Sequence, residues 1–358
     1  MGWTIHHPTG LLYHDPAQAF QGYTLVSMSG GKDAYLIDME GRVCHRWYRE
    51  EGIAYGFLLE NGNLLSRTRA SGGFIPPSDQ PTGILELDWD GNIVWEYWDP
   101  YVHHDFERRP DGNTLMVLYD LMPQDAARRV RGGRGSVEEQ MYGELVREVN
   151  PVGATVREWS MWQGLDPAQD AICPLEERHQ WLHQNALNLT PDGDLLVSFR
   201  QIDTVGIVSR DTGQYTWKWG PGEISHQHHP TFLSNGHVLL FDNGPHRGGA
   251  TYSRVIEVDP ESGRIAWEYT GTPLISFYSY HISGAERQPN GNTLICEGAP
   301  GRLFEVTPDG EIVWEYVNPH VIPEGAPMGS GGPNSVFRGH RYATDHPALA
   351  GRELTPLD

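Results

Sequence analysis

One short pattern recurs six times along the 358-residue chain, and it limits the fold more than any other feature. The copies are GRVCHRW (41–47), GNIVWEY (91–97), GATVREW (153–159), GQYTWKW (213–219), GRIAWEY (263–269) and GEIVWEY (310–316). Each opens on a glycine and follows an alternating run: YLIDMEG, ILELDWDG, LVREVNPVG, VGIVSRDTG, RVIEVDPESG and LFEVTPDG. Period-two alternation on both sides of a DG-like or SG-like turn predicts a two-stranded hairpin. Five further turns, in ENGNLLSR, PDGNTLMVL, PDGDLLVSF, SNGHVLLFD and PNGNTLICE, each open a third strand and imply a fourth before them. Successive hairpins start 47 to 62 residues apart. That spacing suits a four-stranded unit plus a loop, and six such units make a ring. The expected fold is all-β: a six-bladed β-propeller of four-stranded antiparallel blades, with residues 1–358 as a single domain.

The ends of the pattern complement each other. The first copy lacks an inner strand upstream, because GYTLVSM leads directly into YLIDMEG, and the last copy lacks a downstream turn. The segment NSVFRGHRY (334–342) is therefore expected to supply the innermost strand of the N-terminal blade and close the ring, which removes an exposed sheet edge. Residues 121–143 and 163–180 interrupt the repeat as long, polar, partly helix-compatible insertions. They read as covers on one face and as a candidate lid, or equally as tolerated surface loops.

Charge narrows the partners. With 26 Lys and Arg against 47 Asp and Glu, the formal net charge is −21 at pH 7. Neither a nucleic acid nor an anionic membrane is an expected partner for such a surface, and an anionic substrate needs a local basic pocket. The N-terminal segment MGWTIHHPTGLLYHDPAQAF has neither a signal-peptide pattern nor a long apolar run, so a cytoplasmic location is expected. Cys44, Cys173 and Cys296 are odd in number and widely spaced, which suits reduced thiols, small and buried, better than a disulfide frame.

The histidines give the functional clue. Counting back eight residues from the second turn glycine of each blade selects Ala54, His104, Asn185, His228 and Ser283. Equivalent positions at the entrances of inner strands converge at one end of a propeller's central channel. Neighbouring residues add His103, Asp105, His183, Gln227, His229 and His281, and the closing strand adds Asn334, Arg338 and His340. A ring of titratable side chains at one register needs partners once buried and is the default candidate for a binding or catalytic site. Imidazoles suit a nucleophile, a general acid or base, or a metal ligand. Arg200, seven residues after Gly193, adds a fixed cation whose planar donors match the oxygens of sulfate, phosphate or carboxylate. An ion-pair role for Arg200 remains open.

The elements HHD (103–105), H-x-N (His183 and Asn185) with Arg200 one strand later, and QH (Gln227 and His228) resemble the bacterial arylsulfate sulfotransferase family. The resemblance covers nearly the whole chain and is closest to a short, intracellular type without an additional N-terminal β domain. It implies transfer of a sulfuryl group between phenolic compounds, through a sulfohistidine at the channel mouth and without a cofactor. On that pattern His228 is the nucleophile, and His104, His183, Asn185 and Arg200 surround the transferred oxygens, with His104 or His183 supplying a proton. Ser283 occupies a compatible ring position, and Gln227, Asn334 and Arg338 complete the expected contacts to a small aromatic or anionic substrate.

Two other functions fit the same residues. In one, His104, Asp105, His228, His229 and His281 provide ligands for a divalent Zn, Fe, Mn or Cu ion in a lyase, hydrolase or oxygenase. In the other, the propeller is a non-catalytic interaction module.

Overall fold

The computed structural model describes residues 8–68, 82–322 and 332–357. These residues are almost entirely strand and turn, organised as six four-stranded antiparallel blades. The fold is the all-β, six-bladed β-propeller that the repeat predicts. The chain divides into two compact units: one holds blades I and VI and most of blade II, the other blades III, IV and V.

In the first unit, blade I comprises Val336–Ala343, Gly22–Met28, Asp33–Ile37 and Val43–Tyr48. The C-terminal strand therefore pairs antiparallel with the N-terminal one, from Gly22 opposite Ala343 to Met28 opposite Val336. Blade II begins with Tyr55–Leu58 and Leu64–Arg67. Blade VI comprises Gly284–Arg287, Thr293–Glu297, Arg302–Val306 and Ile312–Val317. A fifth strand, Gly10–His14, pairs with Ile312–Val317 and covers that blade's outer edge. The repeat does not announce this strand, because GLLYH lies outside every copy.

In the second unit, blade III comprises Val102–Arg108, Thr114–Leu121, Tyr142–Val149 and Thr155–Ser160. Blade IV comprises Gln184–Leu189, Leu195–Phe199, Thr204–Val208 and Tyr215–Trp219. Blade V comprises His228–Phe232, Val238–Asp242, Arg254–Val258 and Ile265–Thr270. The insertions 121–143 and 163–180 are less helical than their sequences suggest, with one four-residue helix, Gln124–Ala127. Their main structure is a short parallel pair, Gly132–Arg134 against Ile172–Glu177, so each insertion satisfies backbone groups of the other.

The tryptophans of the repeat explain part of its sequence. The Nε1–H of Trp47 donates to the Asp88 carbonyl at 3.1 Å, and that of Trp314 to Met39 at 2.8 Å, both within the first unit. In the second unit Trp159 donates to Arg210 at 2.8 Å and Trp219 to Gly263 at 3.0 Å. Each is an outer-strand indole that satisfies its one donor on the outer turn of the following blade, with the rings of Trp47, Trp159 and Trp314 buried and that of Trp219 partly so. A phenylalanine could fill the space but would leave that carbonyl without its partner.

Candidate functional site

In the second unit, the inner strands of blades III, IV and V are joined side by side through polar side chains. Asp105 Oδ2 accepts from the Leu187 N–H at 2.8 Å, and Asn185 Nδ2 donates to the Gln227 carbonyl at 2.8 Å. Each inner strand is also irregular at its entrance. Pairing in blade III jumps from Phe106 opposite Met116 to His103 opposite Val117. Blade IV skips Asn185, and blade V slips between His228 and Thr231. These bulges turn the chain so that several residues adopt left-handed backbone: His104 at φ 46°, His183 at 52°, His226 at 59° and His229 at 50°. A side chain that alternation would direct into a neighbouring blade is re-aimed by such a bulge.

Five of the expected residues share one electrostatic neighbourhood. Burial holds the His183 imidazole well below its usual pKa, and His104, Arg200, His103 and His228 depress it further, in that order. His183 is therefore neutral at pH 7. Its ring meets that of His104 edge to face at a centroid separation of 4.6 Å. The Arg200 N–H donates to the His183 carbonyl at 3.1 Å, which fixes the start of the short 3-10 turn Arg200–Ile202 beside the histidine.

Hydrogen bonds orient the rings. Gln180 Oε1 lies 2.8 Å from His183 Nδ1, a contact that orients the His183 ring. His228 Nδ1 is 2.7 Å from Asn243 Oδ1 and 3.1 Å from the His226 carbonyl. The amide of Asn243 cannot be turned round, because its Nδ2 donates to the Ser279 carbonyl at 2.8 Å. Both neighbours of His228 Nδ1 are acceptors, so that nitrogen bears the proton and Nε2 the lone pair. His103 and His104 face each other through Nδ1 atoms 2.7 Å apart, an arrangement that holds one proton between the two rings. His103 is itself stacked on Tyr119 at 3.8 Å.

The other expected residues do different work. Gln227 donates to Ser198 Oγ, the Phe199 carbonyl and the Thr204 carbonyl at 2.9, 3.2 and 2.9 Å, which makes its side chain a brace between blades IV and V. Asp105 uses its carboxylate on the backbone N–H groups of Leu187 and Phe106. Ser283, His281, Asn334, Arg338 and His340 belong to the first unit. There Ser283 Oγ accepts from the Gly298 N–H at 2.9 Å, and Asn334 Nδ2 donates to the carbonyls of Pro300 and Asn318. Arg338 lies 4.8 Å from the Tyr55 ring centre and 5.1 Å from that of Phe337, while Tyr55 Oη is 3.1 Å from His340 Nε2. His281 is buried.

Sequence reasoning missed Glu176, Asp203, Asn243, Gln180 and His246. Glu176, in the second insertion, accepts from Arg200 Nη1 at 2.8 Å and lies 3.0 Å from His226 Nε2. Burial alone would raise the Glu176 carboxyl, but the bond from His226 and the charge and bond of Arg200 outweigh it and lower its pKa to about 2. Arg200 is thus an ion-pair partner as well as a cation beside the imidazoles. His226 is opposed by burial, yet its bonds with Asp203, Cys173 and Glu176 raise it to about 10. Cys44 and Cys296 are buried as expected; Cys173 is not, because strand Ile172–Glu177 lies at the surface and leaves the thiol half-exposed.

Blades carrying hydrogen-bonded imidazoles beside a guanidinium define a propeller with a histidine-centred candidate site. The family model for arylsulfotransferase (ASST) matches residues 82–319, well over half of the chain, and the chain belongs to that family. A search of curated proteins returns no match. Among solved structures, a protein of unknown function from Bacteroides caccae is similar with a TM-score of 0.57 and 16% identity, over 89% of this chain and 98% of that one. Virginiamycin B lyase from Staphylococcus aureus gives 0.43 and 16%, over 77% and 74%. The first likeness concerns the fold alone, and the second is too slight to carry an argument.

Proposed function

We propose that this arylsulfotransferase-family protein transfers a sulfuryl group between phenolic compounds, with His228 as the nucleophile. The observation that carries the reading is the pair of acceptors around His228 Nδ1, which leaves the attacking lone pair on Nε2. In the first half-reaction Nε2 attacks sulfur, the S–O bond to the donor aryl group breaks, and the electron pair departs on the phenolate. The ring then carries a positive charge with Nδ1–H still bonded to Asn243, a charge-assisted contact stronger than the one in the resting site. The His103–His104 pair holds the proton that the departing oxygen takes up. In the second half-reaction the acceptor phenol returns a proton to that pair, its oxygen attacks sulfur, and the N–S bond breaks to restore the lone pair. Arg200 and Asn185 support the charge on the sulfuryl oxygens, electrostatic stabilisation of the kind that dominates many group transfers.

The test is turnover of nitrophenyl sulfate with a phenol acceptor. Acceptor-dependent release of nitrophenolate, abolished in His228→Ala and retained in His229→Ala, is expected. No turnover with any aryl sulfate and phenol pair would remove the reading.

A further inference from the structure

A second cluster of ligating side chains meets the same Glu176 oxygen, Oε1, that Arg200 contacts, and neither sulfuryl transfer nor fold architecture requires it. Cys173 Sγ is 3.2 Å from His246 Nδ1. His226 Nε2 is 3.0 Å from Glu176 Oε1, and His246 Nδ1 is 3.9 Å from the same oxygen. The donor atoms of Cys173, His226 and His246 all lie within 4.8 Å of one another. We propose that Cys173, His226 and His246, with Glu176 as the fourth donor, bind a thiophilic divalent cation of the zinc class.

Distances support a tetrahedral site. Zinc bonds of about 2.0–2.3 Å imply donor-to-donor edges of about 3.3–3.7 Å, and donor separations of 3.0, 3.2 and 3.9 Å straddle that range. The donor set of one thiolate, two imidazoles and a carboxylate is typical zinc chemistry. An independent observation concerns the other nitrogen of His226. Its Nδ1 is 2.8 Å from Asp203 Oδ1, and the same oxygen accepts the His226 N–H at 2.8 Å. A carboxylate on the remote nitrogen, fixing ring orientation and tautomer, is the usual support of a metal-binding histidine. The ring is fully buried, so it has one orientation, with Nε2 directed at the cluster.

The ligands also come from separated pieces of chain. Cys173 and Glu176 lie on the insertion strand Ile172–Glu177, His226 precedes the inner strand of blade V, and His246 lies in the loop after Val238–Asp242. A bound ion would tie the insertion to two loops of blade V and so fix Glu176, the partner of Arg200. This role is structural and stands whether or not the protein transfers sulfuryl groups.

Metal content and spectroscopy of the full chain test it. Purified protein is expected to hold about one zinc per chain, released by a strong chelator. Cobalt(II) added to the stripped chain should give a thiolate-to-cobalt charge-transfer band and tetrahedral d–d bands. Cys173→Ser should abolish the charge-transfer band, and Asp203→Asn should keep it while weakening affinity about 10–100-fold. Labelling of the unsubstituted protein by a thiol reagent needs no variant: zinc should slow modification of Cys173, and chelator should restore it. Absence of saturable cobalt binding, a band unchanged in Cys173→Ser, or a labelling rate indifferent to zinc would each overturn the proposal.

Discussion

Asn243 offers the sharpest probe of the proposed chemistry, because it touches the proposed nucleophile through the nitrogen that does not react. Replacing it by Ala removes the 2.7 Å acceptor of His228 Nδ1 and leaves it the longer contact with the His226 carbonyl at 3.1 Å. A buried hydrogen bond of this kind is worth about 1–2 kcal/mol net, and roughly twice that once the ring carries charge. The surplus in the charged state, about 1–2 kcal/mol, raises the barrier, so kcat should fall about 5–30-fold, with KM nearly unchanged. The variant also deletes the Asn243 Nδ2 donor of the Ser279 carbonyl, so stability should fall by about 1–3 kcal/mol, an effect that melts register separately from turnover. Asn243→Asp separates an electrostatic role from a packing one. It keeps the acceptor but puts a negative charge beside the ring, which favours the protonated imidazole. Attack requires the neutral ring, so activity should be lost at a higher pH on the acid side than in the unsubstituted protein. Nitrophenolate release against pH, with thermal melts as the control, measures both effects. Unchanged kcat in Asn243→Ala, or an unmoved acid limb in Asn243→Asp, would refute the tautomer argument.

Two further outcomes follow from buried titratable groups. Glu144 is fully buried beneath the His183 segment, and desolvation raises its carboxyl from 4.5 to about 8, against lowering bonds from the Gln184 and His183 N–H groups. A raised folded-state pKa contributes stability in full below pH 4.5 that is lost as pH climbs through 8. Denaturant melts should therefore show a decline of about 3–5 kcal/mol across that window, largely absent in Glu144→Gln; equal slopes would contradict the assignment. His103→Phe keeps the stack on Tyr119 but removes the contact with His104 Nδ1. It should lower kcat about 10–100-fold, as expected for a lost proton carrier, with KM steady, while a purely packing role predicts wild-type turnover.

The blades were legible because their signals are local: turn glycines, period-two runs and an outer-strand tryptophan recur in each copy. The pairing of Val336–Ala343 with Gly22–Met28 was legible too, from the strand missing at one end and the extra one at the other. Gly10–His14 was not, because an added edge strand breaks no repeat. For the candidate site, counting from turn glycines singled out His104, Asn185 and His228, and the H-x-N spacing added His183. What escaped were partners supplied by other segments. Asn243 lies 15 residues beyond His228 and Glu176 is 24 residues before Arg200, so no spacing rule relates them. The same holds for Cys173 and His246, 73 residues apart. Gln227 shows the opposite case: it sits next to His228 in sequence, but its side chain points into the strands of blade IV.

Backbone conformation supplies a reason to treat the entrances as functional that does not depend on resemblance. The hairpin turns at Gly112, Gly193 and Gly236 use glycine for positive φ, whereas His104, His183, Asp203, His226, His229, Ile282 and Ser283 accept positive φ without it. Each such residue costs about 1–2 kcal/mol relative to an unstrained one, and strain of this kind persists where side-chain placement matters more than conformational ease. Substituting the same position twice isolates the cost. His104→Ala and His104→Gly both delete the imidazole, so both should lose sulfuryl transfer to the same extent. Only glycine relieves φ of 46°, so His104→Gly should unfold with about 1 kcal/mol more free energy than His104→Ala. If the alanine variant is as stable as the glycine variant, the bulge is unstrained and its histidine owes its position to packing. If glycine is more stable and both are inactive, the chain sacrifices stability at that entrance to hold the imidazole there, which is the behaviour of a site rather than of a scaffold.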